Sequence, residues 1–225
     1  MTSPKGKLTM PEFTIDDRNE VKRIPSRAFY DKETIHQIID QALICYVSFV
    51  EEEQPFIIPC NFARIENNII LHGSNDSRMI KNLQAGKEIC ITMTLLDGLV
   101  LARSACSHGV NYRAVVLFGR GVAITEDKEK FEALKAVSEH LLPGRWKEIR
   151  KPTKEELENT AVVSIPIESA SAKVMIGHPK DDPADLDLPV WAGLVPIKLQ
   201  AMQPEPDPER KSDIPIPDYV TNFLR

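Results

Sequence analysis

Apolar positions along this chain alternate between two periods. Ile35, Ile38, Ile39 and Ala42 fall at i, i+3, i+4 and i+7, one stripe of a helix, with Asp31 placed to cap its start. LICYVSFV (43–50) then predicts a strand, EEEQ a turn, and PFIIPCNFAR (55–64) a second strand. Pro55 and Pro59 cannot donate ladder hydrogen bonds, which puts that strand at a sheet edge or on a bulge. Asn67-Asn68 makes the next turn and IILHG (69–73) a third strand. The period then lengthens. Ser74, Asn75 or Asp76 caps a short helix whose Met79, Ile80 and Leu83 form the apolar side, and Gly86 suits the position just past its end.

EICITMTLL and GLVLAR flank Asp97-Gly98, a pairing that predicts a hairpin turn. VNYRAVVLFGRGVAIT (110–125) is a long β-rich run with Gly119 and Gly121 at a bend or bulge. DKEKFEALKAVSEHLL predicts a second amphipathic helix closed by Pro143-Gly144, and Thr153 with Glu156 fits a capping box for a third. TAVVSIPIE, SAKVMI and LVPIKLQ follow as late strands. About seven strands in hairpin-like order, not alternating as βαβ units, predict a mainly β (α+β) chain: an antiparallel barrel with peripheral helices. Residues 1–20 are polar and broken by proline and predict a flexible lead-in; 21–202 form one domain; 203–225 are proline-rich and acidic, an extended arm.

Composition narrows the partners. Of 225 residues, 42% are hydrophobic, which excludes global disorder, and 28 Lys+Arg against 33 Asp+Glu give a net charge of −5. That balance lacks the cationic excess a nucleic-acid binder needs. No apolar run approaches the roughly 18 residues of a membrane span, and the N-terminus has no signal-peptide core, so a soluble cytoplasmic protein is expected. Cys45 and Cys90 lie in apolar runs and read as small buried hydrophobes; Cys60 and Cys106 complete the set, with no C-x-x-C pair. Cys106 and His108 offer two metal ligands without a third, so no metal is assigned and the thiols are expected reduced.

LHGSNDSRMIKNLQAG (71–86) carries the candidate chemistry. A strand ends in His-Gly-Ser and a helix begins at once with Ser77 and Arg78 in or beside its first turn. Free N–H groups there favour a phosphate; Ser74 and Ser77 add hydroxyls, Arg78 a two-pronged guanidinium, and Lys81 further charge. On spacing alone an ordinary helix start with a solvated arginine is the favoured reading of the same residues. No dinucleotide fingerprint, Walker loop or nucleophile elbow is present.

The order of LICYVSFV, PFIIPCNFAR, IILHGS, DSRMIKNL, EICITMTLLDG and NYRAVVLFGRGVAI resembles the FMN-binding split-barrel superfamily typified by pyridoxamine 5′-phosphate oxidase. TLLDGLVLARSACSHGVNYRAVVLFG and HPKDDPADLDLPVWAGLVPIKL are most similar to its flavin-nucleotide-binding branch, which includes nitroimidazole-resistance proteins. The resemblance, over about residues 22 to 200, implies a split antiparallel β-barrel with peripheral helices. It also implies a homodimer binding FMN, or FAD in its place, at the subunit interface, and a flavin-dependent oxidoreductase acting on a small molecule. A non-catalytic flavin-storage protein and a haem-binding split barrel are the alternatives.

By the same resemblance Ser77 and Arg78 hold the flavin phosphate; the family's following lysine is Met79 here, with Lys81 the nearest replacement. Pro59, Cys60 and Asn61 run along the flavin ring, His72 and Ser74 close the next strand near the ribityl chain, and Asn111, Tyr112 and Arg113 face the partner's flavin. Trp191 stands beside the ring. The bland readings are a core histidine for His72, a backbone-satisfying amide for Asn61, and a core or interface aromatic for Trp191. Arg103 and His108 reach either substrate or the subunit interface. After Trp191 the family's Arg-x-His segment is missing, so oxidation of vitamin B6 itself is not expected.

Overall fold

A computed structural model describes residues 12–209 and 212–223. The elements run β1 (Ala28–Phe29), α1 (Lys32–Gln41), β2 (Cys45–Glu51), β3 (Gln54–Cys60), β4 (Ala63–Ile65), β5 (Asn68–Ser74), α2 (Arg78–Gln84), β6 (Glu88–Leu101), β7 (Gly109–Arg120) and β8 (Val122–Ile124). Then come α3 (Asp127–Leu141), α4 (Lys154–Asn159), β9 (Thr160–Pro166), β10 (Ser169–Met175), β11 (Gly193–Pro196) and α5 (Asp218–Thr221). The larger sheet has the order β1-β10-β7-β6-β2-β3, and β11 also pairs with β6. The smaller sheet is β4-β5-β9-β8, and every pairing is antiparallel. The mainly β split-barrel architecture with helices at its periphery is therefore what the chain adopts.

Two helix starts and one helix end match their sequence signals. The Asp31 carboxylate accepts from the Thr34 N–H at 2.8 Å and starts α1. Thr153 and Glu156 exchange both capping-box hydrogen bonds ahead of α4. Gly86, with φ +66°, takes the left-handed turn after α2. Pro55 and Pro59 sit in β3, the edge strand of the larger sheet, where their missing N–H groups leave no ladder bond unmade.

The core lies between the two sheets. Val47, Ile91, Met93, Val115 and Leu117 of the larger sheet meet Ile69, Leu71, Val163 and Ile165 of the smaller, with Ile35 and Ile39 of α1 and Ile80 and Leu83 of α2 closing the ends. Each of these buried side chains contributes roughly 1.5–3 kcal/mol through its removal from water. The smaller sheet is covered on its other face too, where Ile70 and Val162 pack on Ala133 and Val137 of α3. Burial on both faces explains the unbroken apolar runs Ile69-Ile70-Leu71 and Ala161-Val162-Val163.

Four expectations need correcting. Asp97-Gly98 is no hairpin turn: β6 runs straight through it for 14 residues, with a bulge between Leu96 and Gly98. β7 pairs along nearly all of β6, while β2 and then β11 take its other side, so the ladder overrides the local turn preference. The run 55–64 is two strands, because Asn61-Phe62 carries the chain from the larger sheet to the smaller. Among the described residues eleven strands form where about seven were predicted, the additional ones being short. Residues 12–20 of the expected flexible lead-in are anchored at Phe13 and Asn19, with most of their neighbours exposed. Phe13 joins the core, and buried Asn19 donates to the carbonyls of Thr14 and Ala170 at 2.9 and 3.2 Å. Residues 1–11, and 210, 211, 224 and 225 of the expected arm, lie outside the described residues.

Gly119 and Gly121 mark where the two sheets join. A Cβ at Gly119 would lie 2.3 Å from the Pro166 carbonyl, and one at Gly121 2.3 Å from the Leu83 carbonyl. Only a residue without a side chain lets the backbones approach so closely. No helix among the described residues is long and apolar enough to cross a membrane.

Candidate functional site

The corner between β5 and α2 gathers Ser74, Ser77, Arg78 and Lys81. The Ser77 N–H donates to the Ser74 carbonyl at 3.0 Å and forms the turn. The Ser77 hydroxyl oxygen then accepts from the Ile80 N–H at 3.5 Å and caps α2, in place of the expected Ser74, Asn75 or Asp76, because β5 and the turn after it carry the chain to Ser77 before the helix begins; Ser74 Oγ accepts from the Asp76 N–H at 3.2 Å. Arg78 extends outward to the β2–β3 hairpin. Its Nε lies 3.0 Å from Glu51 Oε2, and its guanidinium carbon stands 4.6 Å from the centre of the Phe56 ring. No hydrogen bond engages its two terminal nitrogens among the described residues. One edge of the guanidinium is thus anchored and the other is left for an anion. Lys81 pairs loosely with Asp76 at 3.6 Å. Met79, in the place of the family's lysine, is buried and faces the core.

A second feature lies on the outer face of the smaller sheet. A cleft of about 350 Å³ is bounded by His72 of β5, Asn61 of the crossover, Val137 and Leu141 of α3, and Trp146 and Arg150 of the following segment. Trp146 is buried, edge-on to Phe131 at 5.2 Å between ring centres. Arg150 closes the rim by a double contact with Glu156 at 2.8 and 2.6 Å, and that guanidinium holds the Glu156 carboxyl down at about 2. His72 Nδ1 is buried and has no hydrogen-bond partner among the described residues. Burial lowers the pKa of this ring below its ordinary 6.5, which favours the neutral imidazole. A neutral ring nitrogen beside a cleft is the form that ligates a metal.

The other anticipated residues are dispersed. Pro59 and Cys60 stand on β3 across from Tyr46 and Cys45. Asn111 lines a separate groove of about 260 Å³ and donates to the Gly177 carbonyl at 3.1 Å. Tyr112 is in the ladder between Leu96 and Met175. Arg113 is held by Asp97 at 3.0 and 2.9 Å and by Gln41 at 2.7 Å. Trp191 is 65% exposed and lies over Gly193. Arg103 pairs with Asp181 at 2.7 Å, and His108 Nδ1 meets the Ser104 carbonyl at 2.9 Å. Glu51 and Phe56, which orient Arg78, were not anticipated; only knowledge of the β2–β3 register would have found them. Trp146 was also missed, although its place between Pro143-Gly144 and the capping box hinted at a packed connection.

Both features sit on one split β-barrel with helices at its periphery. The sequence model described as pyridoxamine 5′-phosphate oxidase matches residues 31–174, and the chain belongs to that family. Among solved structures it is similar to the flavocytochrome Anf3 from Azotobacter vinelandii, at 40% identity and TM-score 0.86, covering 93% of this chain and 97% of that one. It is also similar to an FAD- and haem-binding protein from Mycobacterium smegmatis, at 30% identity and TM-score 0.82, covering 87% and 96%. A 5-nitroimidazole antibiotic resistance protein homologue from Bacteroides thetaiotaomicron follows at 27% identity and TM-score 0.56, covering 65% and 86%. No curated protein matches the chain.

Proposed function

We propose that this chain is a flavin-binding protein, taking FMN or FAD by its phosphate at the β5–α2 corner, and that it works as a homodimeric oxidoreductase on a small molecule. The observation that carries this reading is the anchored, half-free guanidinium of Arg78. It occurs in a chain similar over nearly its whole length to a flavocytochrome and to an FAD- and haem-binding protein. When bound, flavin supplies hydride or electron transfer. Arg78 and the Ser74 and Ser77 hydroxyls hold the phosphate, while Pro59, Cys60 and Asn61 offer a strand edge for the ring. Exposed Tyr46, Ile57, Leu96, Leu99 and Trp191 supply apolar surface for a second copy, which brings Asn111, Tyr112 and Arg113 to the partner's flavin. Lacking the Arg-x-His segment, the chain is not assigned vitamin B6 oxidation.

A haem is favoured as a further cofactor by His72. Its unpartnered buried nitrogen, its neutral form and the cleft it lines would suit a ligand to iron, and Val137, Leu141 and Trp146 would supply apolar walls. Absorption spectroscopy of the purified full-length protein, before and after incubation with FMN, FAD and haemin, tests both cofactors. Retained flavin absorption is expected, together with a Soret band that His72→Ala removes. Protein that keeps neither flavin ends the first reading, and a Soret band indifferent to His72→Ala ends the second. Reduction by NADH or NADPH, followed by a quinone or nitroaromatic, separates turnover from storage. Size-exclusion chromatography with light scattering checks the dimer.

A further inference from the structure

We propose that Cys45 and Cys60 form a reversible cross-strand disulfide, making the open end of the β2–β3 hairpin an oxidation site for small disulfides such as oxidised glutathione. The two residues are directly opposite in the antiparallel register, the last pair before the chain leaves β3. Opposed residues in such a ladder have Cα atoms about 4.5 or 5.5 Å apart, inside the window a disulfide requires. Their sulfurs already stand 3.7 Å apart, and side-chain rotation has only to bring them to the bonded distance of about 2.05 Å. Cys90 and Cys106 have no such opposite number: Cys90 is paired with Ser48 and Phe118, and Cys106 sits in the β6–β7 loop.

The environments divide the labour. Cys45 is fully buried and Cys60 only partly so, on the outermost strand, so an incoming reagent meets Cys60 first. The hydrogen bond from Cys45 lowers the pKa of Cys60, while the same contact and burial hold Cys45 protonated. The Cys60 thiolate attacks one sulfur of oxidised glutathione and expels the other half as a thiolate, leaving a mixed disulfide. Cys45 then attacks Cys60 Sγ, its proton passing to the departing glutathione. The two thiols lose two electrons and two protons, and one oxidised glutathione becomes two reduced molecules. The bond would clamp the sheet where Asn61-Phe62 crosses to the other one. This inference requires no bound flavin or haem.

The test incubates the native full-length protein in glutathione buffers of graded oxidation, quenches with acid, alkylates in denaturant and maps the peptides. Two of the four thiols should vanish together as a Cys45–Cys60 linked peptide without retained glutathione, and dithiothreitol should restore them. Cys45→Ala should stop at a glutathione adduct on Cys60, and Cys60→Ala should leave Cys45 fully alkylatable. A stable adduct on wild-type Cys60 beside a free Cys45 overturns the proposal. So does a link through Cys90 or Cys106, or loss of the Cys45 thiol in Cys60→Ala. If Cys45→Ala does not fold, the wild-type map and Cys60→Ala decide alone.

Discussion

The β5–α2 corner and the His72 cleft are neighbours on one strand, yet they are built in opposite ways. The corner draws Ser74, Ser77, Arg78 and Lys81 from eight consecutive positions, with Glu51 and Phe56 reaching in from a hairpin. The cleft takes His72 from the smaller sheet, Asn61 from the crossover that leads into it, and its remaining walls from α3 and the segment after it. The corner is polar and exposed and holds its cation by one ion pair and one ring. The cleft is walled by buried apolar side chains and leaves one polar nitrogen unsatisfied. An exposed site of the first kind should lose affinity, and little stability, when cut. A site of the second kind should lose stability first.

The sharpest test of that contrast is Trp146→Ala. Removing a buried aromatic wall should cost about 3–5 kcal/mol, read as a fall in the urea midpoint; a loss under about 1 kcal/mol would mean the wall is dispensable. Arg78→Ala should weaken flavin binding by roughly ten- to a hundredfold, the worth of a hydrogen bond to a charged group. Its apo stability should move by less than about 1 kcal/mol, since an exposed ion pair and one cation–ring contact are all it forfeits. Thr153→Ala, which opens the capping box behind the cleft, should cost about 1 kcal/mol in thermal or chemical denaturation.

The smallest effect is in pH. His72 has a folded pKa lowered by burial, so below its ordinary 6.5 the unfolded chain binds the proton more readily than the folded one. Its contribution is therefore present above 6.5 and declines as pH falls toward the lowered value. His36, lowered first by burial, acts in the same sense. The carboxylate of Glu156, held at about 2, contributes above its ordinary 4.5 and is lost between there and 2. Denaturation midpoints from pH 7 to 5 should fall, and His72→Gln should flatten that slope; an unchanged slope would show that His72 is not the group sensed.

What could be read from the sequence follows the same division. The caps of α1 and α4 and the proline-bearing edge strand are short-range signals, and each appears where the local chemistry places it. Asp97-Gly98 misled because its partners are remote: Arg113 takes the Asp97 carboxylate, and β11 pairs beside Gly98. The break at Asn61-Phe62 was hidden inside a continuous β-prone run, since only the existence of a second sheet requires it. Trp191, expected beside the flavin, is solvent-facing in the single chain. The end of the acidic arm also escaped. Tyr219 of α5 donates its hydroxyl proton to Glu148 at 2.6 Å and accepts from Arg145 at 3.1 Å, beside Gly144.

The contact of Gly121 with the Leu83 carbonyl limits how this protein can vary. The last turn of the helix that carries Arg78 sits on bare main chain, so even one methyl group beneath it would have to jack that helix off the barrel. Room to adjust Arg78 is consequently on the solvent side, at Glu51 and Phe56, where a new side chain can retune the guanidinium without disturbing its foundation.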